Sequence, residues 1–201
     1  MRFRVPFVLA SASPRRRQLL ELIGIDFRVQ PSHADESTDG SLAPDELVRQ
    51  IAARKCLSVG RELGDALVLG ADTIVVLDGE VLGKPQDEAD AGHMLRRLSG
   101  NTHVVYSGIA LYYSGADRMV NATAATRVTF DDLSDGEIAA YVAGGSPMDK
   151  AGAYGIQDDR GALFVSRIDG DYYNVVGLPM NLLYRTLKSE FSDLIVETPS
   201  S

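Results

Sequence analysis

The residues best suited to chemistry lie just after the first apolar segment, Phe7–Ala10, where Ser11, Ser13 and Pro14 precede the three arginines of 15–17. Ser13 is a typical helix N-cap and proline is favoured at the first helical position, so the pattern predicts a strand, a turn and a helix. A helix N-terminus presents unpaired N–H groups, which favour an anion. Arginines there oppose the helix dipole, which a purely structural helix would avoid, although a solvated basic face is the alternative interpretation. The segment therefore predicts an anion site, with phosphate as the expected anion.

A second candidate is Asp72, which interrupts the apolar run 66–77. Aspartate is disfavoured in strands and an unpaired buried carboxylate is costly, so this position indicates a metal ion, a cation or a hydrogen-bonding partner. Gly70 leaves room for another backbone or a ligand to approach. The Asp-Gly pair at 78–79 predicts a tight hairpin turn, whose return strand would bring Lys84 back close to Asp72.

Two further candidates have competing interpretations. Lys55 falls on the apolar stripe of a helix predicted over 44–63, where a lysine either extends its ammonium to water or meets a buried anion. Asp35 and Glu36 lie in a polar loop that follows a short predicted strand, 27–30. Adjacent acids are most often only solvated, but loops at strand ends often carry function.

The segment 144–157 contains four glycines, too many for a helix or a plain strand. It is typical of a loop that brings backbone close to a ligand, and its apolar residues make a simple surface loop the weaker alternative. The histidines, His33, His93 and His103, are scattered, so neither a metal cluster nor a Ser/His/Asp triad can be argued. His103 is interpreted as a strand-end histidine. Nucleophile-elbow, zinc-protease, Walker and dinucleotide motifs are absent from the sequence.

The predicted elements alternate between strands and helices. Beyond those above, we expect helices over 87–98, over about 135–142 after a capping box at 134–137, and over 180–191. Strands are expected over 103–113 and 122–130, and a final hairpin should join 163–168 to 172–176.

Composition limits the possible functions. The 201 residues carry a formal net charge of −8, which argues against a broad nucleic-acid footprint and confines any phosphate site to a local positive pocket. A single cysteine, Cys56, excludes an internal disulfide. No signal-peptide layout or membrane-length apolar run is present, so we expect a cytoplasmic protein without membrane association. We expect one domain over 1–196 and a loose tail over 197–201.

Five segments occur in order along nearly the whole chain: L-A-S-A-S-P-R-R-R-Q-L-L (9–20), L-G-A-D-T-I-V-V with L-G-K-P (69–85), M-L-R-R-L-S-G-N-T-H (94–103), D-K-A-G-A-Y-G-I-Q (149–157) and V-G-L-P (176–179). Together they resemble the Maf-type nucleoside triphosphate pyrophosphatases. The resemblance implies an α/β fold related to that of inosine triphosphate pyrophosphatases, with a long mixed central sheet flanked by helices and two lobes around an active-site cleft.

The resemblance also implies a site. Substrate binding falls on Ser11, Arg15, Arg16, Lys55, Lys84 and Gln157, and both catalysis and metal binding fall on Asp72 and Glu36. The loop 149–157 and Thr73 resemble the branch acting on dTTP and UTP, in which Arg15, Thr73 and Gln157 would tune base selection. The implied reaction cleaves the bond between the α and β phosphates with Mg²⁺ or Mn²⁺ as cofactor, and Asp72 is the candidate general base.

Two other functions stay open at the level of sequence. One is the same chemistry on ITP-like or 7-methyl-GTP substrates. The other is a nucleotide-binding regulator of cell division, which would need the arginines but not Asp72. The expected partner is a nucleoside triphosphate rather than a nucleic acid, and the resemblance is compatible with a homodimer.

Overall fold

The computed structural model describes residues 1–37, 40, 42–157 and 160–196. The predicted tail at 197–201 lies outside these residues. The strands are β1 (Arg2–Phe3), β2 (Phe7–Leu9), β3 (Arg28–Val29), β4 (Leu67–Leu77), β5 (Glu80–Leu82), β6 (Thr102–Tyr113), β7 (Arg118–Phe130), β8 (Val165–Asp169) and β9 (Ile195–Val196). The α-helices are α1 (Pro14–Leu22), α2 (Pro44–Gly60), α3 (Glu88–Leu98), α4 (Asp135–Ala143), α5 (Tyr172–Val176) and α6 (Met180–Glu190).

A seven-stranded mixed sheet organises these elements. Its order is β3-β2-β4-β6-β7-β8, with β5 paired to β4. Strand β2 runs parallel to β3 and β4, whereas the β4–β5 and β7–β8 pairs are antiparallel. Strands β1 and β9 form a separate antiparallel pair. The predicted α/β class with a mixed central sheet is confirmed.

The chain divides into two compact units. The first comprises Met1–Asp72, Ser107–Ala124 and the described residues from Gly177 onwards. The second comprises Thr73–Tyr106 and Ala125–Val176. The expectation that residues 1–196 form one domain stays a prediction, since a division into two compact units does not test it. Within the described part of the chain, no helix is long and apolar enough to cross a membrane.

In the first unit, helix α2 lies unusually close to the sheet at two glycines. A Cβ added to Gly70 on β4 would lie 2.3 Å from the Ala52 carbonyl oxygen, and one added to Gly108 on β6 would lie 2.3 Å from the Val48 carbonyl oxygen. Both positions therefore exclude a side chain. Small residues of α2, including Ala52 and the fully buried Cys56, fill the contact. The prediction that Gly70 admits another backbone is confirmed.

Local signals identified several helix ends correctly. The Ser13 side chain accepts a hydrogen bond from the Arg16 N–H at the start of α1, as predicted. The capping box at Ser134 and Glu137 is complete at the start of α4. These ends depend on contacts within a few residues, which is why the sequence reveals them.

The predicted hairpin between 163–168 and 172–176 is wrong. Residues Gly161–Phe164 form a 3-10 turn, β8 pairs with β7, and Tyr172–Val176 is helical. The Asp171 carboxylate accepts the Tyr173 N–H at 2.8 Å, which caps the start of this helix. Other bounds differ by a few residues: α2 ends at Gly60, β7 begins at Arg118, and the β1–β9 pair was not predicted.

A buried aromatic cluster in the second unit surrounds His103. The imidazole Nε2 lies 2.8 Å from the Tyr154 hydroxyl, and Phe130 packs edge-on against both rings. Only 1% of His103 is exposed, and burial lowers its pKa from 6.5 to about 4. The histidine is therefore a neutral core residue beside the start of β6, consistent with the strand-end interpretation.

Gly70→Ala should destabilise the protein by about 1–3 kcal/mol, because the added methyl group meets backbone that cannot move aside easily. Gly64→Ala is the matched control, since an added Cβ there has nothing within 4 Å. The free energy of unfolding would be measured by urea denaturation at unchanged m-value. Equal stabilities of the two variants would contradict the close helix–sheet contact.

Protonation of His103 should couple stability to pH. The unfolded histidine titrates near 6.5 but the folded one near 4, so the unfolded chain binds more protons between these values. The free energy of unfolding should fall by about 2–3 kcal/mol from this residue between pH 7.5 and 4.5. His103→Gln should remove that part of the pH dependence, whereas His33→Gln, at an exposed position, should keep it. If the free energy of unfolding changed with pH equally in wild type and His103→Gln, the lowered pKa of His103 would be refuted.

Candidate active site

Lys55 joins two carboxylates in the first unit. Its Nζ lies 2.8 Å from Asp72 Oδ1 and 2.9 Å from Glu36 Oε2. Lys55 and Asp72 are both buried, with 9% and 8% of their surface exposed. Of the two interpretations of Lys55, the one in which it meets a buried anion is confirmed. The same contact explains how a carboxylate is tolerated inside strand β4.

The position of Lys55 follows from the packing of α2. The missing side chain at Gly70 allows the Ala52 and Cys56 backbone to approach β4. Lys55 lies between these two contacts on the helix, and Asp72 lies two residues beyond Gly70 on the strand. The close approach of backbone therefore sets the separation of the two charged side chains.

A second group of contacts orients Arg16 at the start of α1. Its Nε donates to the Gly177 carbonyl at 3.0 Å and its Nη1 donates to Ser11 Oγ at 3.1 Å. Ser11 Oγ also accepts the Ser13 N–H at 3.2 Å. A hydroxyl has two acceptor positions and one proton, so these two bonds leave the Ser11 proton directed elsewhere, suited to an anion.

Charge connects the two groups. Desolvation lowers the pKa of the Arg16 guanidinium, the nearby Arg15 lowers it further, and the carboxylates of Asp72 and Glu36 raise it. These opposing effects place Arg16 in the same electrostatic environment as the acids that Lys55 bridges. The structure thus brings together Ser11, Arg15, Arg16, Glu36, Lys55 and Asp72.

The other predicted site residues belong to the second unit. Thr73 directly follows Asp72, while Lys84 and Gln157 are exposed. The β4–β5 register pairs Val75 with Leu82, two residues before Lys84. The closeness of Lys84 to Asp72 and the roles of Thr73 and Gln157 stay predictions.

Two residues that make polar contacts, one through its backbone and one through its side chain, are not singled out by the sequence. Gly177, with a φ of +127°, supplies the carbonyl that holds Arg16, yet it lies 161 residues away and carries no local signal beyond the V-G-L-P segment. Lys150 in the second unit is buried with 8% exposed, and its Nζ lies 2.8 Å from Asp149 Oδ1. A buried lysine in a glycine-rich loop could have been suspected from the apolar residues that follow it.

The donor set available for a metal ion is small. Over the described residues, no group of three or more histidine, cysteine or acidic side chains converges. Asp72 and Glu36 both contact the Lys55 ammonium, so their oxygens already approach one common cation. Two carboxylates suit Mg²⁺ when substrate phosphates and water complete its coordination.

Comparison with known proteins agrees with this arrangement. The family model described as Maf-like protein matches residues 6–190. A curated dTTP/UTP pyrophosphatase from Salinibacter ruber is 54% identical over 94% of this chain and 93% of the relative. Proteins of the same name from Moorella thermoacetica and Pelotomaculum thermopropionicum are 54% and 50% identical, over 86% and 90% of this chain and 89% and 94% of the relatives. With its matching segments spread across both units, the chain belongs to the Maf family.

Proposed function

We propose that this protein hydrolyses dTTP and UTP between the α and β phosphates, releasing a nucleoside monophosphate and pyrophosphate. The observation that carries the proposal is the Lys55 ammonium held between Asp72 and Glu36 in the electrostatic reach of Arg16. This arrangement combines carboxylates for water activation with cations for phosphate. Relatives about 50% identical over most of the chain carry the name of this activity.

The cationic side chains would bind the triphosphate and stabilise the departing pyrophosphate. Arg16 is oriented through its Nε and Nη1, and its planar guanidinium matches the geometry of phosphate oxygens. Arg15, Lys55 and Lys84 would add positive charge, and Ser11 would donate its hydroxyl proton. Charge stabilisation of this kind in a partly desolvated site is a major source of catalysis.

Asp72 would act as the general base for the attacking water. Its burial and its contact with the Lys55 ammonium keep the carboxylate at a fixed place on strand β4. Asp72 and Glu36 would also hold Mg²⁺ or Mn²⁺, the expected cofactor. When bound, such an ion polarises phosphate oxygens and lowers the pKa of water.

The nucleobase would be selected by Arg15, Thr73 and Gln157, as the resemblance to the dTTP/UTP branch implies. The competing functions predict different results with the same protein. Enzymes for ITP or 7-methyl-GTP would share the chemistry but prefer another base, and a regulator would bind nucleotide without turnover. The pairing of a buried carboxylate with Glu36 through Lys55 favours turnover, since nucleotide binding alone has no need of these acids.

Pyrophosphate release should be fastest with dTTP and UTP in a panel that includes CTP, ITP and 7-methyl-GTP, with Mg²⁺ or Mn²⁺ present. Asp72→Asn should lower kcat by about 10²–10⁴-fold, because the general base is lost. Asp78→Asn is the matched control: Asp78 is exposed on the β4–β5 turn, where Asn-Gly is as favourable as Asp-Gly.

Three results would change this proposal. Preference for ITP or 7-methyl-GTP would keep the chemistry and reject the pyrimidine assignment. Nucleotide binding without any release would favour the regulator. Full activity of Asp72→Asn would exclude Asp72 as the base.

Lys55→Met should bind Mn²⁺ about tenfold more tightly than wild type in titrations without nucleotide. The substitution removes the ammonium with which an ion must compete for both carboxylates. Adding Glu36→Gln should abolish the gain. Unchanged Mn²⁺ affinity in Lys55→Met would show that Asp72 and Glu36 do not hold a divalent ion in place of the ammonium.

A further inference from the structure

The loop of residues 32–37, here the Glu36 loop, is fastened to helix α2 at three points. The Ser32 and Ser58 hydroxyls lie 2.8 Å apart. Glu36 Oε2 lies 2.9 Å from Lys55 Nζ. The third contact is a hydrogen bond of 3.0 Å from Arg54 Nη1 to the Ser37 carbonyl. The outer contacts flank Glu36 on both sides, and their partners on α2 lie within one and a half turns.

Glu36 needs this support because packing does not hold it. Its side chain is 60% exposed, whereas the Lys55 side chain that it contacts is 11% exposed. An exposed glutamate on a loop loses considerable conformational freedom when it is held in one rotamer. The backbone on either side must therefore be fixed if the carboxylate is to stay at the ammonium.

A tight turn fixes the backbone around Glu36. The Asp35 carboxylate accepts the Ser37 N–H at 2.8 Å and the Ser37 hydroxyl at 2.6 Å, so Glu36 lies at the centre of the turn. The carbonyl of Ser37 is then held by Arg54. The hydrogen bonds from Ser37 and the charge of Arg54 both lower the pKa of Asp35, which keeps it ionised as the acceptor.

Arg54 is an unusual residue for a purely structural role. Its Nε is buried and has no hydrogen-bond partner among the described residues, a cost that a simple surface ion pair would not carry. Its neighbour Arg49 on the same helix instead pairs with Glu46, one turn away. Arg54 reaches across to the loop from the position next to Lys55, whose ammonium bridges Glu36 and Asp72.

We propose that Arg54 is a positioning residue, which acts through the Ser37 carbonyl to hold Glu36 against Lys55. The consequence for turnover depends on the proposed function, in which Glu36 takes part in the reaction. The structural part of the proposal is independent of that function, because it concerns only whether Arg54 orders the Glu36 loop. The two parts can therefore be tested by separate measurements on the same variants.

The structural test is amide hydrogen exchange. In Arg54→Met, exchange in the Glu36 loop should accelerate by about tenfold, because the hydrogen bond to Ser37 is lost while α2 keeps its packing. Arg54→Lys retains one donor and should restore part of the protection. Arg49→Met is the matched control and should leave the loop unchanged.

The functional test is a double-mutant cycle with dTTP. Arg54→Met should lower kcat by about tenfold with a smaller change in KM, and Arg54→Lys should recover part of the loss. In a Glu36→Asp background, whose shorter carboxylate cannot keep the contact with Lys55, Arg54→Met should have little further effect. A general loss of stability would lower kcat equally in both backgrounds.

The exchange and kinetic measurements can each contradict the proposal for Arg54. Unchanged exchange in Arg54→Met overturns the inference whatever the kinetics. Faster exchange with an equal kcat loss in both backgrounds also overturns it, because Arg54 would then act without Glu36. If wild type releases no pyrophosphate from any nucleotide, the proposed function fails, and the exchange data alone decide whether Arg54 orders the loop.

Discussion

The buried contact between Lys55 and Asp72 is the interaction on which the site depends. Neither charge would be tolerated alone in the interior, because an unpaired buried charge is strongly unfavourable. As a pair they contribute little net stability, since desolvation offsets most of their attraction. Stability therefore does not explain why the chain keeps two charges where apolar residues would pack. A requirement to hold a carboxylate and an ammonium together, with Glu36 as third partner, does explain it.

That contact is in turn a product of backbone packing. Helix α2 approaches β4 and β6 at Gly70 and Gly108, where the helix carbonyls occupy the space of a side chain. The same approach fixes the rotation of α2 about its axis. Lys55 consequently faces Asp72, while Arg54 and Ser58 reach the Glu36 loop. One close helix–sheet contact thus orients both the charged centre and the loop that completes it.

The sequence predicts those features of the structure that depend on residues close together in the chain. Ser13 at its helix start and the apolar run around Asp72 were interpreted correctly, because caps and buried strands have short-range patterns. Residues 172–176 are predicted to form the second strand of a hairpin, but they form a helix whose start is capped by the Asp171 carboxylate. The contact of Lys55 with Asp72 and the hydrogen bond from Arg16 to Gly177 could be identified only from the tertiary structure. They join residues that lie 17 and 161 positions apart in the chain.

Charge balance indicates why this site would need more than its buried pair to receive a triphosphate. Arg16 and Lys55 carry two positive charges, and Asp72 and Glu36 carry two negative ones, so the four together are neutral. In a chain of net charge −8, long-range attraction does not favour a polyanion either. The binding energy must then come from additional cations close to the phosphates. Arg15 and Lys84 are the proposed cations, and a divalent ion on the carboxylates would turn their repulsion of phosphate into attraction.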